Sequence, residues 1–500
     1  MKTIKSVISV FLSLAMIFLF AACSGNVTPD DPGTGTDSDT DTVQNDTTAS
    51  GIEYEKDKLP ENLDFGGAKV VILSPAHGLM ASDVTVDELS SEIVSDSIYN
   101  RKLSVEERLN VEIVNVKTTT LDEDMQKLIG ADEDMYQIVV GETYGYSKYS
   151  FDGVLYDLNT VEYLDLDSPW WSSLFIKEAS IGDSLYIATG SISLSLIRNF
   201  IVCFFNKALA ENYRHNSELS DLEDLYTIVE NGNWTLDKLH TLSASVYSDE
   251  NGNSMKDEED IFGLGLHGYS LDVIWSAFDL NVLSPTEDGW FELDVNTDRL
   301  FNAMEKITDL LHNSSGVYLP ETLPSSTDAM FSSGRFLFAV DYLSISEKGT
   351  LRNMADEYGV LPFPKLDDSQ SSYFSYAYDD YLSYSIPLTN GSPEIAGAVM
   401  EAMASYSYRE TVPAYLDIAL KGKYMNDPQS RKMIDLIVEN FKLDTAWIYI
   451  FTIGGGYPSG YRNNIYENKR TFASEHQSNA QSVKRNLIGF KLKYDQNVGN

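Results

Sequence analysis

The stretch from Asp167 to Leu209 constrains the fold of this 500-residue chain more than any other part of it. It begins with a Pro-Trp-Trp turn, continues through an alternating apolar run and crosses Gly190. It ends in the apolar run FIVCFF, which leads directly into a predicted helix. A strand that is interrupted at a glycine can leave one sheet and enter another. The stretch therefore predicts a crossover between two lobes, each with its own sheet.

A predicted strand, helix and strand precede this crossover. The run from Ala68 to Ser74 is apolar apart from Lys69 and the final serine, which is typical of a strand buried on both faces. Leu89, Ile93 and Ile98 then recur at helical spacing, and a second strand is predicted from Val111 to Val116. Units of this kind connect parallel neighbouring strands with a right-handed crossover. The first lobe is therefore predicted to contain a parallel sheet.

The loop after the next predicted strand carries candidate binding residues. A helix near 121–130 and a strand from Tyr136 to Val140 repeat the unit, and the loop that follows offers Glu142, Tyr144 and Tyr146. Open α/β sheets bind their ligands at the carboxyl ends of their strands. The sequence therefore predicts ligand contacts here, with simple packing of the two loop tyrosines as the alternative.

Size and charge limit the possible partners. A chain of 500 residues with 43% hydrophobic residues exceeds one hydrophobic core and indicates at least two folded domains. With 36 basic and 76 acidic residues, the net charge is -40. Such a chain repels polyanions, which excludes nucleic acid as a partner. The same charge is also typical of a secreted protein that is kept soluble by its acidic surface.

The amino terminus has the pattern of a secretory leader. Residues 1–23 contain an early pair of lysines, an apolar run from Val7 to Phe20 and the small-residue end Ala21-Ala22-Cys23. The apolar run is too short to favour a permanent membrane span, and Cys23 lies where bacterial lipoproteins carry their lipid. We therefore predict a lipoprotein signal peptide with lipidation at Cys23. A plain signal peptide with an incidental cysteine is the alternative.

The segment that follows the leader is predicted to be a disordered tether, residues 24–59. It is rich in Gly, Thr, Ser, Asp, Asn and Pro and has no Lys or Arg before Lys56. Such a composition buries too little apolar surface to offset the loss of chain entropy on folding. The tether is expected to hold the folded part away from the outer face of the cell membrane.

An acidic loop between residues 249 and 260 matches the ligand spacing of an EF-hand-like calcium loop. Its hard oxygen donors suit calcium. The predicted metal ligands, at loop positions 1, 3, 5, 7, 9 and 12, are Asp249, Asn251, Asn253, Met255 (through its carbonyl), Asp257 and Asp260. Ser254 stands where a glycine normally makes the sharp turn, and an aspartate replaces the usual final glutamate. The prediction is a structural Ca²⁺ site, with a solvated acidic loop as the alternative.

No sequence motif indicates catalysis. The chain has 6 scattered histidines and lacks HExxH, GxSxG and GxxxxGK patterns. A GxGxxG match at 263–268 lies inside the apolar run IFGLGL, so it does not predict a dinucleotide site. Asp379 and Asp380 are adjacent carboxylates, which in a strand would point to opposite faces rather than at one glycosidic bond. We therefore predict a protein that is not an enzyme.

Several segments of the sequence resemble the corresponding segments of one protein family. These are PWW, LYIATGSIS and FFNKAL within the crossover, SIYNRKLSVEERLNV at 97–111, DAMFSSGRFLFAVDYLS at 328–344 and YLDIALKGKYMNDPQSRKMIDLI at 415–437. They resemble the extracellular solute-binding proteins of ABC importers (family 1), in particular sugar-binding lipoproteins. The resemblance covers nearly all of the chain after residue 60. It implies an α/β, two-lobe, periplasmic-binding-protein-like (type II) fold in which hinge strands join two α/β domains.

The resemblance also implies domain boundaries and a function. Lobe 1 would comprise 60–188 plus 341–400, and lobe 2 would comprise 189–340 plus 401–500. A carbohydrate, most simply an oligosaccharide, would bind between the lobes of a monomer and be delivered to the permease subunits in the membrane. The predicted ligand-binding residues are Glu142, Tyr144, Tyr342, Trp447 and Tyr461. A glycoside hydrolase, a peptide-binding lipoprotein and an adhesion lipoprotein remain the alternatives.

Overall fold

The computed structural model describes residues 54–131, 133–320, 322, 326–424, 427–454 and 456–497. The predicted leader, the predicted lipidation site Cys23 and nearly all of the predicted tether lie outside the described residues. The strands are β1 (Ala68–Pro75), β2 (Val111–Thr118), β3 (Ile138–Glu142), β4 (Ile201–Asn206), β5 (Tyr247–Ser248), β6 (Ile261–Leu266), β7 (Leu283–Pro285), β8 (Phe291–Leu293), β9 (Phe336–Tyr342), β10 (Tyr358–Leu361) and β11 (Leu382–Ser385).

Helices surround and connect these strands. The α-helices are α1 (Ile93–Leu109), α2 (Leu121–Ala131), α3 (Thr143–Tyr146), α4 (Ser173–Ala179), α5 (Ser195–Arg198), α6 (Lys207–Tyr213), α7 (Leu225–Glu230), α8 (Leu236–Ala244), α9 (Val273–Ala277), α10 (Thr297–Asn313), α11 (Asp328–Ser332), α12 (Gly349–Arg352), α13 (Pro393–Tyr406), α14 (Pro428–Glu439), α15 (Thr445–Ile448), α16 (Tyr457–Tyr466) and α17 (Phe472–Asn497). Short 3₁₀ segments occur at Gly78–Ser82, Ser147–Phe151, Leu158–Thr160, Ser217–Glu223, Ser270–Asp272 and Leu343–Glu347. π-helical segments occur at Ser407–Thr411, Ala414–Tyr424 and Ile450–Gly454.

The first sheet has the strand order β11-β3-β1-β2. β1 pairs in parallel with β2 from Ala68 opposite Val111 onwards, and it also pairs in parallel with β3. β11 closes the sheet as an antiparallel neighbour of β3. The predicted βαβ unit and the parallel sheet are therefore confirmed. The continuous apolar runs that predicted them are explained by burial, since every residue of β3 before Glu142 is buried.

The second sheet has the strand order β10-β4-β9-β6-β5. β4 and β9 pair antiparallel, while β6 and β9 pair in parallel. β4, whose six residues are all buried, is the end of the predicted crossover stretch. Upstream in the same stretch, Ala188 forms a bridge with Tyr384 of β11 in the first sheet. The stretch therefore connects the two sheets, as the sequence predicts.

The glycines of the GxGxxG match serve close packing. Gly263 and Gly265 lie in β6. The backbone of Ser243, in α8, packs against Gly263, and the ring of Phe336 packs against Gly265. A Cβ at Gly263 would lie 2.0 Å from the carbonyl oxygen of Ser243. These glycines let a helix and a neighbouring strand approach the backbone of β6, so the match marks a packing site and not a phosphate-binding loop.

The sheets assign three segments differently from the sequence prediction. β10 pairs with β4, so residues 358–361 belong to the second sheet although 341–400 had been placed in lobe 1. The π-helical segments Ser407–Thr411 and Ala414–Tyr424 pack on α1 beside the first sheet, although residues from 401 onwards had been placed in lobe 2. Sequence segments can predict that a strand or a helix exists. Strand pairing and helix packing then decide which sheet that strand or helix joins.

The end of the predicted tether also belongs to the folded part. Tyr54 packs edge-on against Tyr408 with ring centroids 5.4 Å apart. Arg108 donates two hydrogen bonds to Asp57, at 2.6 and 2.8 Å. Residues 54–59 are therefore fixed by an aromatic contact and an ion pair that a composition argument cannot detect. None of the described helices is long and apolar enough to cross a membrane.

Candidate functional site

A cavity of about 400 Å³ lies where loops from the two sheets meet. Tyr144 reaches it from α3, directly after β3 of the first sheet. Tyr269 and Asp272 reach it from the segment that follows β6 of the second sheet. Trp447 of α15 and Arg462 of α16 line it from the carboxyl-terminal part of the chain. Its position between two sheets and its volume are typical of a small-molecule binding site.

Aromatic side chains form much of the cavity wall. The rings of Tyr269 and Tyr378 are stacked, with centroids 5.2 Å apart and an interplanar angle of 27°. Tyr144 and Phe451 pack at 5.6 Å in a tilted arrangement. Tyr269 and Phe451 are 46% and 64% exposed, so part of each ring is accessible to a ligand. Flat, accessible rings of this kind bind the apolar C–H faces of other molecules.

Two adjacent aspartates also line the cavity, which corrects a prediction. Asp379 and Asp380 form a turn immediately before β11, and both side chains reach the cavity. We expected them to point to opposite faces because we placed them in a strand. β11 runs antiparallel to β3, with Leu382 opposite Glu142, so the residues before it lie at the carboxyl edge of the parallel strands. The turn therefore brings both carboxylates to the edge at which such sheets bind ligands.

Asp272 and Arg462 form a buried ion pair in the wall. Nη1 of Arg462 donates a hydrogen bond to Oδ2 of Asp272, which is 2% exposed. The guanidinium also lies over the ring of Tyr269, 4.6 Å from its centroid. Burial raises the pKa of Asp272 to about 7, although Arg462 opposes this shift by favouring the ionised carboxylate.

The neighbouring carboxylates have raised pKa values as well. Burial, followed by repulsion from Asp272 and Asp380, raises the pKa of Asp379 well above its ordinary value. Burial and the nearby Glu142 raise the pKa of Asp380 to about 7. Asp380 accepts a hydrogen bond of 2.5 Å from Nδ2 of Asn199. The cavity is therefore a buried acidic site in which the ionised forms are disfavoured.

A second cavity of about 440 Å³ adjoins the first and shares Tyr144 and Phe451 with it. Its walls include Pro75, Thr118 and Glu142, the last residues of β1, β2 and β3. It therefore follows the carboxyl edge of the first sheet, where the sequence predicted ligand binding. A chain-like ligand could extend from one cavity into the other past the two shared rings.

The structure brings only some of the predicted binding residues together. Tyr144 and the 1% exposed Trp447 line the first cavity. Glu142 lines the second, where it contacts Nε2 of His77 at 2.5 Å and accepts a hydrogen bond of 3.3 Å from the hydroxyl of Tyr144. Tyr342 lies behind the first cavity, 5.9 Å from the ring of Tyr378.

Tyr461 lies away from both cavities. It is 1% exposed and packs at 5.8 Å from Trp275 and 5.5 Å from Tyr457. Its neighbour Arg462 reaches the first cavity instead, because successive residues of a helix point in directions about 100° apart. Tyr461 was the predicted contact, but which residue of this segment faces the cavity depends on how α16 is rotated.

Sequence reasoning missed Asp272, Tyr269 and Arg462. Tyr269 and Asp272 follow β6, and the apolar run of that strand could have indicated a binding loop after it. A loop after a parallel strand is a candidate site, and β6 is parallel to β9. Arg462 had no comparable signal, since only the tertiary packing of α16 brings it to Asp272.

The predicted calcium loop forms a network of hydrogen bonds. Asp249 accepts hydrogen bonds from the backbone N–H groups of Gly252 (2.7 Å) and Ser254 (2.9 Å). Ser254 has a φ of 61°, the left-handed conformation for which glycine is usual at this loop position. Asp260, 0% exposed, accepts a hydrogen bond from the hydroxyl of Tyr247. Across the described residues, no group of three or more His, Cys, Asp or Glu side chains is arranged to hold a metal ion.

The fold is similar to solved structures of sugar-binding proteins. A cyclo/maltodextrin-binding protein complexed with maltotetraose superposes with a TM-score of 0.52 at 13% identity, covering 86% of this chain and 98% of that chain. An ABC substrate-binding protein from Listeria monocytogenes, in complex with cycloalternan, gives a TM-score of 0.52 at 11% identity, covering 84% of this chain and 98% of that chain. No family model and no curated protein matches the sequence. The predicted fold class is confirmed: this chain has the two-lobe α/β fold of solute-binding proteins.

Proposed function

We propose that this protein is the substrate-binding lipoprotein of an ABC transporter and that it captures a carbohydrate without transforming it. The observation that carries the proposal is the cavity between the two sheets, which combines accessible aromatic rings with buried carboxylates. Sugar rings present apolar C–H faces to aromatic rings and hydroxyl groups to carboxylates. The shared fold supports the proposal, because both similar structures hold glycans.

The role in transport depends on the contribution of both lobes to the site. Tyr144 belongs to the first lobe, whereas Tyr269 and Asp272 follow β6 of the second. A ligand that contacts both groups binds the closed form more tightly than the open form and therefore shifts the population towards it. The permease subunits in the membrane would then recognise the closed form. Lipidation at Cys23 would keep this monomer at the outer face of the membrane.

The first experiment is isothermal titration calorimetry with a panel of neutral oligosaccharides and a parallel panel of peptides. We expect a glycan to bind and to raise the melting temperature, since a ligand at 100 times its Kd stabilises the folded state by about 2.7 kcal/mol. Tyr269→Ala should weaken this binding by about tenfold, because the stacked ring is lost from an exposed position. Ile488→Ala, which truncates a side chain that is 64% exposed on α17, is the control and should bind normally.

Other outcomes of this experiment would replace the proposal. Tight binding of peptides without any glycan binding would indicate a peptide-binding protein. Shortened glycans in the titrated sample, detected by mass spectrometry, would indicate a glycoside hydrolase that uses the buried aspartates. Binding of neither panel would favour an adhesion or structural role.

The loop 249–260 is proposed to hold a structural Ca²⁺ ion in the second lobe. Support comes from the oxygen-rich spacing of the loop and from the left-handed conformation of Ser254, which gives the turn that calcium loops require. A bound ion would offset the repulsion among the carboxylates and stabilise the fold by mass action. We expect calcium to raise the melting temperature relative to chelator by several degrees, and Asp249→Ala to abolish the difference. Identical melting curves, together with the absence of calcium in elemental analysis, would contradict the site.

A further inference from the structure

The first cavity has an excess of negative groups. Asp272, Asp379 and Asp380 line it, and Arg462 is the one basic side chain among the described residues of its wall. Arg462 is already engaged by Asp272 through a hydrogen bond and lies on the ring of Tyr269. Asp379 is attracted by the charge of Arg462 and Asp380 by that of His77, but neither carboxylate has a basic side chain as a hydrogen-bond partner among the described residues.

Asp379 is the least satisfied of these carboxylates. It is 4% exposed, and its own backbone N–H is the hydrogen-bond donor that the described part of the chain supplies to it. By contrast, Asp380 accepts a hydrogen bond from Asn199 and Asp272 accepts one from Arg462. A buried carboxyl group whose only hydrogen-bond donor is its own backbone N–H is costly to ionise, and Asp379 lines the cavity. The site therefore favours a ligand that supplies a strong donor or a positive charge at this point.

The aromatic walls also suit a cation. Tyr269 carries the Arg462 guanidinium on one face and is stacked on Tyr378. Trp447 and Phe451 line the same space. Aromatic faces attract ammonium groups through the quadrupole of the ring, and the attraction increases when water is excluded. The surroundings of Asp379 thus combine both features that bind organic cations.

A metal ion does not fit the same carboxylates. Within the described residues, no three acidic, histidine or cysteine side chains are close enough together to coordinate a metal, and this includes the aspartates of the cavity. A divalent ion needs several oxygen ligands at short distances. An ammonium group needs only hydrogen-bond acceptors and an aromatic face, and the cavity provides both.

We infer that the carbohydrate bound in this cavity carries a protonated primary amine, which lies against Asp379. The ligand class is therefore an amino sugar, either alone or as one unit of an oligosaccharide that continues past Tyr144 into the second cavity. This inference rests on the proposed capture of a carbohydrate and specifies the chemical class of its ligand.

The test is calorimetry with matched sets of sugars. Each set contains an amino sugar, or an oligomer of it, together with its N-acetylated counterpart and its neutral hydroxyl parent, at about pH 6 where the amine is protonated. We expect at least one amine to bind about tenfold more tightly than both counterparts. Equal or tighter binding of the neutral or N-acetylated sugars would overturn the inference and leave the proposed function intact. If no sugar of any set binds, the proposed function fails, and the amine assignment fails with it.

A variant pair tests the residue itself. Asp379→Asn keeps the shape of the side chain but cannot ionise when an ammonium group binds, so we expect the preference for the amine over the hydroxyl parent to fall about tenfold. Asp183→Asn makes the same chemical change at an exposed position away from the cavity and should retain the preference. Unchanged melting temperatures at about pH 6 would show that both variants are folded. A full amine preference in Asp379→Asn would contradict the role of this carboxylate.

Discussion

Glu347→Ala is expected to lower the free energy of unfolding by about 3 kcal/mol, because it leaves a buried guanidinium without its main partner. Glu347 accepts hydrogen bonds from Nε and Nη2 of Arg198 at 3.0 and 3.1 Å, and another from the hydroxyl of Tyr415 at 2.9 Å. The side chains of Arg198 and Glu347 are only 7% and 10% exposed. Asp83, at 3.7 Å from Nη1, would remain as a weaker partner. Urea denaturation at neutral pH measures the loss.

This ion pair also joins the two segments that connect the sheets. Arg198 ends α5 in the crossover that leads to β4, and Glu347 follows β9. Glu305→Ala removes an exposed carboxylate from an ion pair with Arg470 and is the control, with an expected change below about 0.5 kcal/mol. Replacing both members by apolar residues (Arg198→Met with Glu347→Leu) should restore part of the stability, since the guanidinium is then absent. The restoration is incomplete because the buried Asp83 loses the charge of Arg198 and keeps only its hydrogen bonds from Ser193 and nearby backbone N–H groups. Equal losses in Glu347→Ala and the control would contradict this account.

The stability of the ligand-free protein is expected to fall as the pH rises from about 5 to about 8. Burial raises the pKa of Asp272 and Asp380 to about 7 and that of Asp379 well above its ordinary value. The folded state therefore keeps protons in this range that the unfolded chain, with ordinary carboxyl pKa values near 3.8, has already lost. Because the folded state binds more protons, its stability is greatest on the acidic side and decreases as the pH passes through the folded pKa values. The decrease should be on the order of a few kcal/mol.

Two further buried carboxyl groups act in the same direction, whereas His476, whose pKa is lowered by burial, acts in the opposite direction below its ordinary pKa of 6.5. Burial raises the pKa of Glu401 to about 7 and that of Asp444 to about 6, which adds to the same slope. The pKa of Asp57 is lowered; burial opposes this shift, but hydrogen bonds and charge attraction from Arg108 outweigh it. The stabilisation from Asp57 is lost only in acid, below the range considered.

Urea denaturation between about pH 5 and pH 8 measures the slope, and Asp379→Asn tests its origin. The asparagine is neutral at every pH, so we expect the variant to match the parent near pH 5 and to exceed it in stability near pH 8. Asp183→Asn should follow the parent throughout. A flat profile in the parent, or a variant with an unchanged slope, would show that the aspartates of the cavity are not the source.

The sequence predicted the first lobe because its signals are local. Apolar runs and helical spacing mark β1, α1 and β2, and β1 does pair in parallel with β2. For the candidate site, the segment after β3 and the segment 447–462 both contribute residues to the cavities. The individual residues were less predictable, since Tyr144 and Trp447 line the first cavity whereas Tyr461 is packed against Trp275.

The segments that resemble solute-binding proteins predicted the fold class. Burial and chain connectivity leave a pattern in consecutive residues, and this pattern predicted the crossover between the sheets and the parallel arrangement of β1, β2 and β3. Only the tertiary structure decided which sheet β10 joins, which face of α16 reaches the cavity and which carboxylates meet there. Asp272 and Asp379 are more than 100 positions apart, and they line one cavity because β6 and the turn before β11 end at the same place. Long-range strand pairing and helix rotation depend on the sum of many contacts between distant residues, and no single segment of the sequence determines that sum.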